Sequence, residues 1–136
     1  MGQQQLLLLV IGVVIVAFAI MAAFPALNRG FRQDEADGLL DRALSIATHA
    51  AAWKTQNEWY GGGGGSYERL AAGGIRTLAL DSTNVRGRFR ITAATSRTLQ
   101  VTGMSTRYPD IGVRVFVTDY SVDSSAVSFT GRLTIP

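Results

Sequence analysis

The chain has 136 residues, a formal net charge of +3 and no cysteine. That length allows at most one globular domain with an attached segment, and the missing cysteines exclude a disulfide framework, a thiolate metal site and a thiol nucleophile. Charge is uneven: residues 1–60 carry four basic and five acidic groups, whereas residues 61–136 carry nine arginines, no lysine and five acids.

The first element is an apolar run over residues 6–24, LLLLVIGVVIVAFAIMAAF, without one charged side chain. A secretory signal would need a basic start, a core of roughly 7–15 residues and a small-x-small site after it. Here no Lys or Arg precedes Arg29, and Ala17-Phe18-Ala19 lies inside the run. A retained segment is expected. As a helix, 19 residues rise about 28 Å, close to the hydrocarbon thickness of a bilayer. Fourteen of the 19 are bulky and apolar. At about 2 kcal/mol each, exposing them to water costs on the order of 28 kcal/mol, against the 5–15 kcal/mol that holds a small domain together. Lipid or other helices must surround this run. The nearest basic residues, Arg29 and Arg32, follow it, which by the positive-inside rule holds that side in the cytoplasm. The β-rich remainder looks exported, so an export system that reads the N-terminus is implied.

Pro25 predicts a kink or local break over residues 24–30, because it lacks a backbone donor and clashes with the preceding turn. Helical periodicity then resumes. Leu39, Ala43, Ile46, Ala50 and Trp53 recur at spacings of four, three, four and three, making one apolar stripe. Asp34, Glu35, Asp37 and Asp41 crowd its first turns, where the helix dipole favours negative charge. Residues 61–65 are five glycines and read as a flexible linker, since no Gly-Lys-Ser/Thr follows and no strand precedes them.

From Ile75 the period becomes two. Phe89, Ile91 and Ala93 alternate with Arg88, Arg90 and Thr92; Leu99, Val101 and Gly103 with Gln100, Thr102 and Met104. Val113, Val115 and Val117 form a third run, and Val127, Phe129, Gly131, Leu133 and Ile135 a fourth, after a turn at Val122-Asp123-Ser124. The predicted class is α+β, a long N-terminal helix, apolar then amphipathic, packed on a four-stranded antiparallel sheet. The expected segments are residues 1–28 (apolar helix), 29–60 (amphipathic continuation), 61–80 (glycine-rich connection) and 81–136 (sheet).

This layout resembles that of a type IV pilin: an apolar N-terminal helix, a proline just past residue 20, an amphipathic continuation, a glycine-rich connection and four antiparallel strands. The resemblance covers the whole chain in architecture and about the first 25 residues in sequence. It implies an extracellular helical filament of identical subunits, held in the inner membrane before assembly and handled by a pilus assembly machinery. The polymerisation core would be Gln5, Leu6, Leu9, Gly12, Val13, Val16, Ala19, Ile20, Ala23 and Phe24, with Pro25 at the helix kink. The family carries a glutamate at mature position five and a basic leader. Here Gln5 stands at that place if Met1 is the mature start, which puts the family's charge pairing in doubt. The alternative implied is a membrane-anchored β-module such as a minor pilin or secretion pseudopilin.

His49, the only histidine, reads as a surface or packing residue, and Asp34, Glu35, Asp37 and Asp41 as a solvated N-terminal helix face. Neither an enzyme nor a cofactor is expected. Arg86, Arg88 and Arg90 alternate, so all three are expected on one strand face. That strip would either pair with acids of neighbouring subunits or contact DNA phosphates; the first is the preferred reading.

Overall fold

The computed structural model describes residues 2–130. Its first element, α1 (Gly2–Thr55), is one helix of 54 residues. The chain divides into two compact units, one ending at Gln33 and one beginning at Asp34. The local break expected after Phe24 is not there: helical structure continues through Pro25. A proline removes one hydrogen bond from the ladder. The Ala- and Leu-rich residues on both sides propagate the helix past it.

In the second unit α1 is followed by a 3-10 turn (Glu58–Tyr60), a short helix α2 (Glu68–Gly73) and a second 3-10 stretch (Gly74–Leu78). The strands β1 (Gly87–Ala94), β2 (Thr98–Ser105), β3 (Gly112–Thr118) and β4 (Ser121–Ser128) pair in sequence order as an antiparallel meander. One face of that sheet is covered by the helix stripe. Leu39, Ala43, Ile46 and Ala50 are wholly buried and Trp53 nearly so, in one core with Phe89, Leu99, Val101, Val113, Val115 and Val117. The first three period-two runs thus bury Phe89, Leu99, Val101, Val113, Val115 and Val117, whereas Val127 and Phe129 of the expected fourth run are exposed and Ser128 between them is buried.

Three local readings are corrected. The five glycines are not a flexible linker but a folded cap on the end of α1. Gly63 N donates to Trp53 O at 3.0 Å, Gly64 N to Gln56 O at 2.9 Å and Gly65 N to Lys54 O at 2.8 Å. Trp53 Nε1 closes the arrangement on Gly61 O at 2.9 Å. These bonds satisfy carbonyls that a helix end leaves orphaned. Glycine is demanded here by shape: a Cβ on Gly63 would lie 2.7 Å from the Trp53 ring, and Gly65 has φ +90°.

The fourth strand also lies earlier than the alternation suggests. Val122, Asp123 and Ser124 belong to β4, and the turn is Asp119-Tyr120. Asp119 takes φ 56°, a left-handed conformation that Asp tolerates better than most residues. A bulge in the β3–β4 pairing then shifts the register, pairing Phe116 with Ser124 but Val117 with Val122. Gly131, Leu133 and Ile135 lie outside the described residues.

Finally, a bulge between Ile91 and Ala93 pairs Ala93 with Gln100 and Ala94 with Leu99. Ala94, rather than Ala93, therefore packs against the core.

Candidate functional site: an exposed apolar helix and an arginine-bearing sheet face

Every described residue of α1 from Gly2 to Phe31 is exposed. Leu6, Leu9, Val13 and Phe24 are 63%, 65%, 63% and 66% accessible, and Val16 and Ile20 about half. Gly12 has nothing within 4 Å of the position a Cβ would occupy. Gln5, Ala19 and Ala23 lie on the same bare surface, and the first helical turn carries no acid. The helix is long and apolar enough to cross a membrane, and none of its apolar window is buried. Such a surface is compatible with membrane insertion, because a helix satisfies all its backbone groups internally.

The outer face of the sheet is polar and carries arginines. Arg90, Thr102 and Arg114 form one cross-strand rung, with Arg90 opposite Thr102 and Thr102 opposite Arg114. The Thr102 hydroxyl is buried between them; it meets Thr92 Oγ1 at 3.0 Å and accepts from Arg114 Nε at 3.3 Å. Arg88 is exposed on the same face, two residues along β1. Towards one end of this face Gln100, Phe116, Thr118 and Asp123 line an open groove of about 330 Å³.

Arg86 does not join this strip. It precedes β1 at a turn built by Asn84, whose side chain accepts from Arg86 N at 2.9 Å and Gly87 N at 2.8 Å. Its guanidinium lies against Gly38 and reaches Glu35 at 3.7 Å. Glu35 is buried and also accepts from Ser105 Oγ at 2.9 Å, so of the four acids expected on a solvated helix face only Asp34, Asp37 and Asp41 are exposed. The expected trio of arginines is therefore a pair, Arg88 and Arg90, joined by Arg114 from β3. Strand alternation could not reveal this, because the turn at residues 84–87 ends the period before Arg86.

A second cluster was not anticipated from the sequence. Lys54, the only lysine, is almost wholly buried in the last turn of α1. Its ammonium lies 4.6 Å from the ring centroids of both Tyr67 and Tyr120 and donates to Asp119 O at 3.5 Å. Tyr67 Oη donates to the same carbonyl. The Asp119 carboxylate is held in a two-bond fork by Arg97, Nε at 3.1 Å and Nη2 at 3.0 Å. That fork, with smaller help from Lys54, holds the Asp119 carboxyl below its usual range despite partial desolvation. Burial, followed by the charges of Tyr120 and Asp119, pushes the Tyr67 phenol up. The only advance signal was a single lysine in a chain of arginines.

His49 is exposed, its Nδ1 donating to Ser45 O at 2.7 Å, one turn back. Among the described residues no group of three His, Cys, Asp or Glu side chains could hold a metal. Comparison with known protein families, curated proteins and solved structures finds no match for this chain.

Proposed function

We propose that the protein is a structural subunit of an extracellular, pilus-like helical filament, polymerising through the exposed N-terminal helix. The observation that carries the reading is the bare apolar surface of residues 6–24 joined to a separately folded, water-compatible unit. A uniformly apolar helix can be solvated first by lipid and then by copies of itself, because both surroundings reward the same side chains. Small residues such as Gly12, Ala19 and Ala23 let helices approach closely in the second state. The sheet unit would then lie outside the bundle, and the role is architectural rather than catalytic.

A second reading is a single-pass membrane protein displaying the same small β-module, such as a minor pilin or secretion pseudopilin. It is favoured by the length of the apolar helix, which suits one bilayer crossing. Electron microscopy of material sheared from cells that make the protein, with mass spectrometry of that fraction, separates the two. Thin filaments made chiefly of this chain support the polymer. A chain that remains with the membrane pellet, without filaments, supports the anchored module.

A further inference from the structure

The cations of the folded unit differ in pairing, and Arg42, Arg76 and Arg107 join the outer-face arginines in having no ion pair among the described residues. Lys54, Arg69, Arg86 and Arg97 each have a carboxylate within 4.0 Å. Arg88, Arg90 and Arg114 take part in none of the ion pairs among the described residues, and all three belong to the outer sheet face. That face is the one the α1 stripe leaves uncovered. Asp123 is the acid in the groove at the end of that face; Asp34 and Asp41 are exposed on α1, on the side away from Leu39, Ala43 and Ile46. They are seven residues apart, so they share a helix face with an axial separation of about 10 Å. Arg90 and Arg114 stand two strands apart across Thr102, which is also about 10 Å.

We propose that the outer sheet face docks a second copy of this chain, with the carboxylate of Asp41 of one copy meeting the guanidinium of Arg90 of the next and that of Asp34 meeting Arg114. Thr102 steadies one member of the pair by accepting from Arg114 Nε. The inference rests on the filament reading and gives it a polar contact outside the apolar helix bundle. The two surfaces are different and lie on different faces of one folded unit. The contact is therefore heterologous, and copies joined by it continue in a chain unless the rotation closes a ring.

The cysteine-free chain permits a direct test. Full-length Asp41→Cys and Arg90→Cys chains are made together in the cells that assemble the protein and treated with a short bis-maleimide. Asp41→Cys with Arg76→Cys, another exposed arginine, serves as the control pair. The expected result is a cross-link yield roughly tenfold above the control, falling as salt shortens the Debye length towards about 3 Å at 1 M. Equal yields overturn the proposal. Charge exchange guards against a misfolded variant: Arg90→Asp should lower the yield of sedimentable assemblies, and adding Asp41→Arg should restore it. Failure to restore assembly in a folded double variant also overturns it. Micrographs of each sample separate the two claims. Filaments without the specific cross-link remove this contact alone, cross-links without filaments remove the filament reading alone, and neither product removes both. Duplex DNA supplies the competing occupant. Retention of labelled DNA that Arg90→Gln with Arg114→Gln abolishes, with the cross-link between Asp41→Cys and an Arg88→Cys chain unchanged, would make the face a nucleic-acid surface and overturn the proposal.

Discussion

Lys54 and Asp119 are 65 residues apart in sequence, yet the ammonium of the first donates to the backbone carbonyl of the second at 3.5 Å. The contact fastens the end of α1 to the β3–β4 turn, and the rings of Tyr67 and Tyr120 flank the charge. Replacing Lys54 by Met keeps the apolar stem but deletes the charge between two aromatic faces. Each cation–π contact is worth about 0.5–2 kcal/mol. Lys54→Met is expected to cost about 2 kcal/mol, read as a shift of the urea midpoint of the full chain in detergent. An unchanged midpoint would show the rings to be indifferent to the ammonium.

The glycine cap yields a graded pair. Gly63→Ala would force a methyl against the Trp53 ring and the Ser66 carbonyl. Overpacking of this kind costs about 1–3 kcal/mol. Gly65→Ala has open space but a φ of +90°, so only conformational strain of about 1–2 kcal/mol applies. Trp53 fluorescence should report the first change more strongly than the second.

Leu39 is fully buried, and its Cδ2 lies 2.9 Å from where a Cβ on Gly87 would be. It has no room to be replaced by a neighbour. Leu39→Ala is expected to lose about 3 kcal/mol, within the range for core truncations. A thermal melt that stays within a degree or so of the parent would argue against helix-on-sheet packing as the main source of stability.

Gly12→Ile separates folding from assembly. No atom lies within 4 Å of the new side chain's first carbon, so unfolding of the second unit should be unchanged. If helices approach one another at Gly12, the same substitution should reduce filament yield severalfold, because a branched side chain prevents close helix contact. Equal yields by quantitative micrography would place Gly12 outside the helix contacts.

The pH response follows from two shifted groups. Asp119 has a lowered pKa when folded, so the stability it adds is present above the ordinary carboxylate range, about 3.9, and is lost as pH falls through the folded value. Tyr67 has a raised pKa, so its contribution is complete below about 10 and is lost as pH rises through the folded value. Asp119→Asn should flatten the acid limb of a stability–pH curve, and Tyr67→Phe the alkaline limb. A curve that keeps both limbs in the double variant would assign them to other groups.

Periodicity carried most of the architecture. The stripe Leu39–Ala43–Ile46–Ala50–Trp53 and the inward-facing Val113, Val115 and Val117 are buried because spacing alone puts them on one side of a helix or a strand. What escaped detection depends on tertiary partners. Residues 61–65 look like a spacer by composition, yet the backbone donors of Gly63, Gly64 and Gly65 find α1 carbonyls. β4 is rich in serine and has almost no apolar alternation, so pairing with β3, not its own pattern, makes it a strand. The rung Arg90–Thr102–Arg114 joins residues from three strands and needs the register before it can be seen.

The single lysine has a further consequence. A protease specific for lysine has one side chain to recognise in this chain, and that side chain is 4% exposed and flanked by two tyrosines. Cleavage can proceed only when the end of α1 opens, and it yields two products, residues 1–54 and 55–136. The rate at which the parent band disappears is thus an internal clock for detachment of the long helix from its sheet. It requires no label, and it can be read in a mixture as crude as washed cell surface.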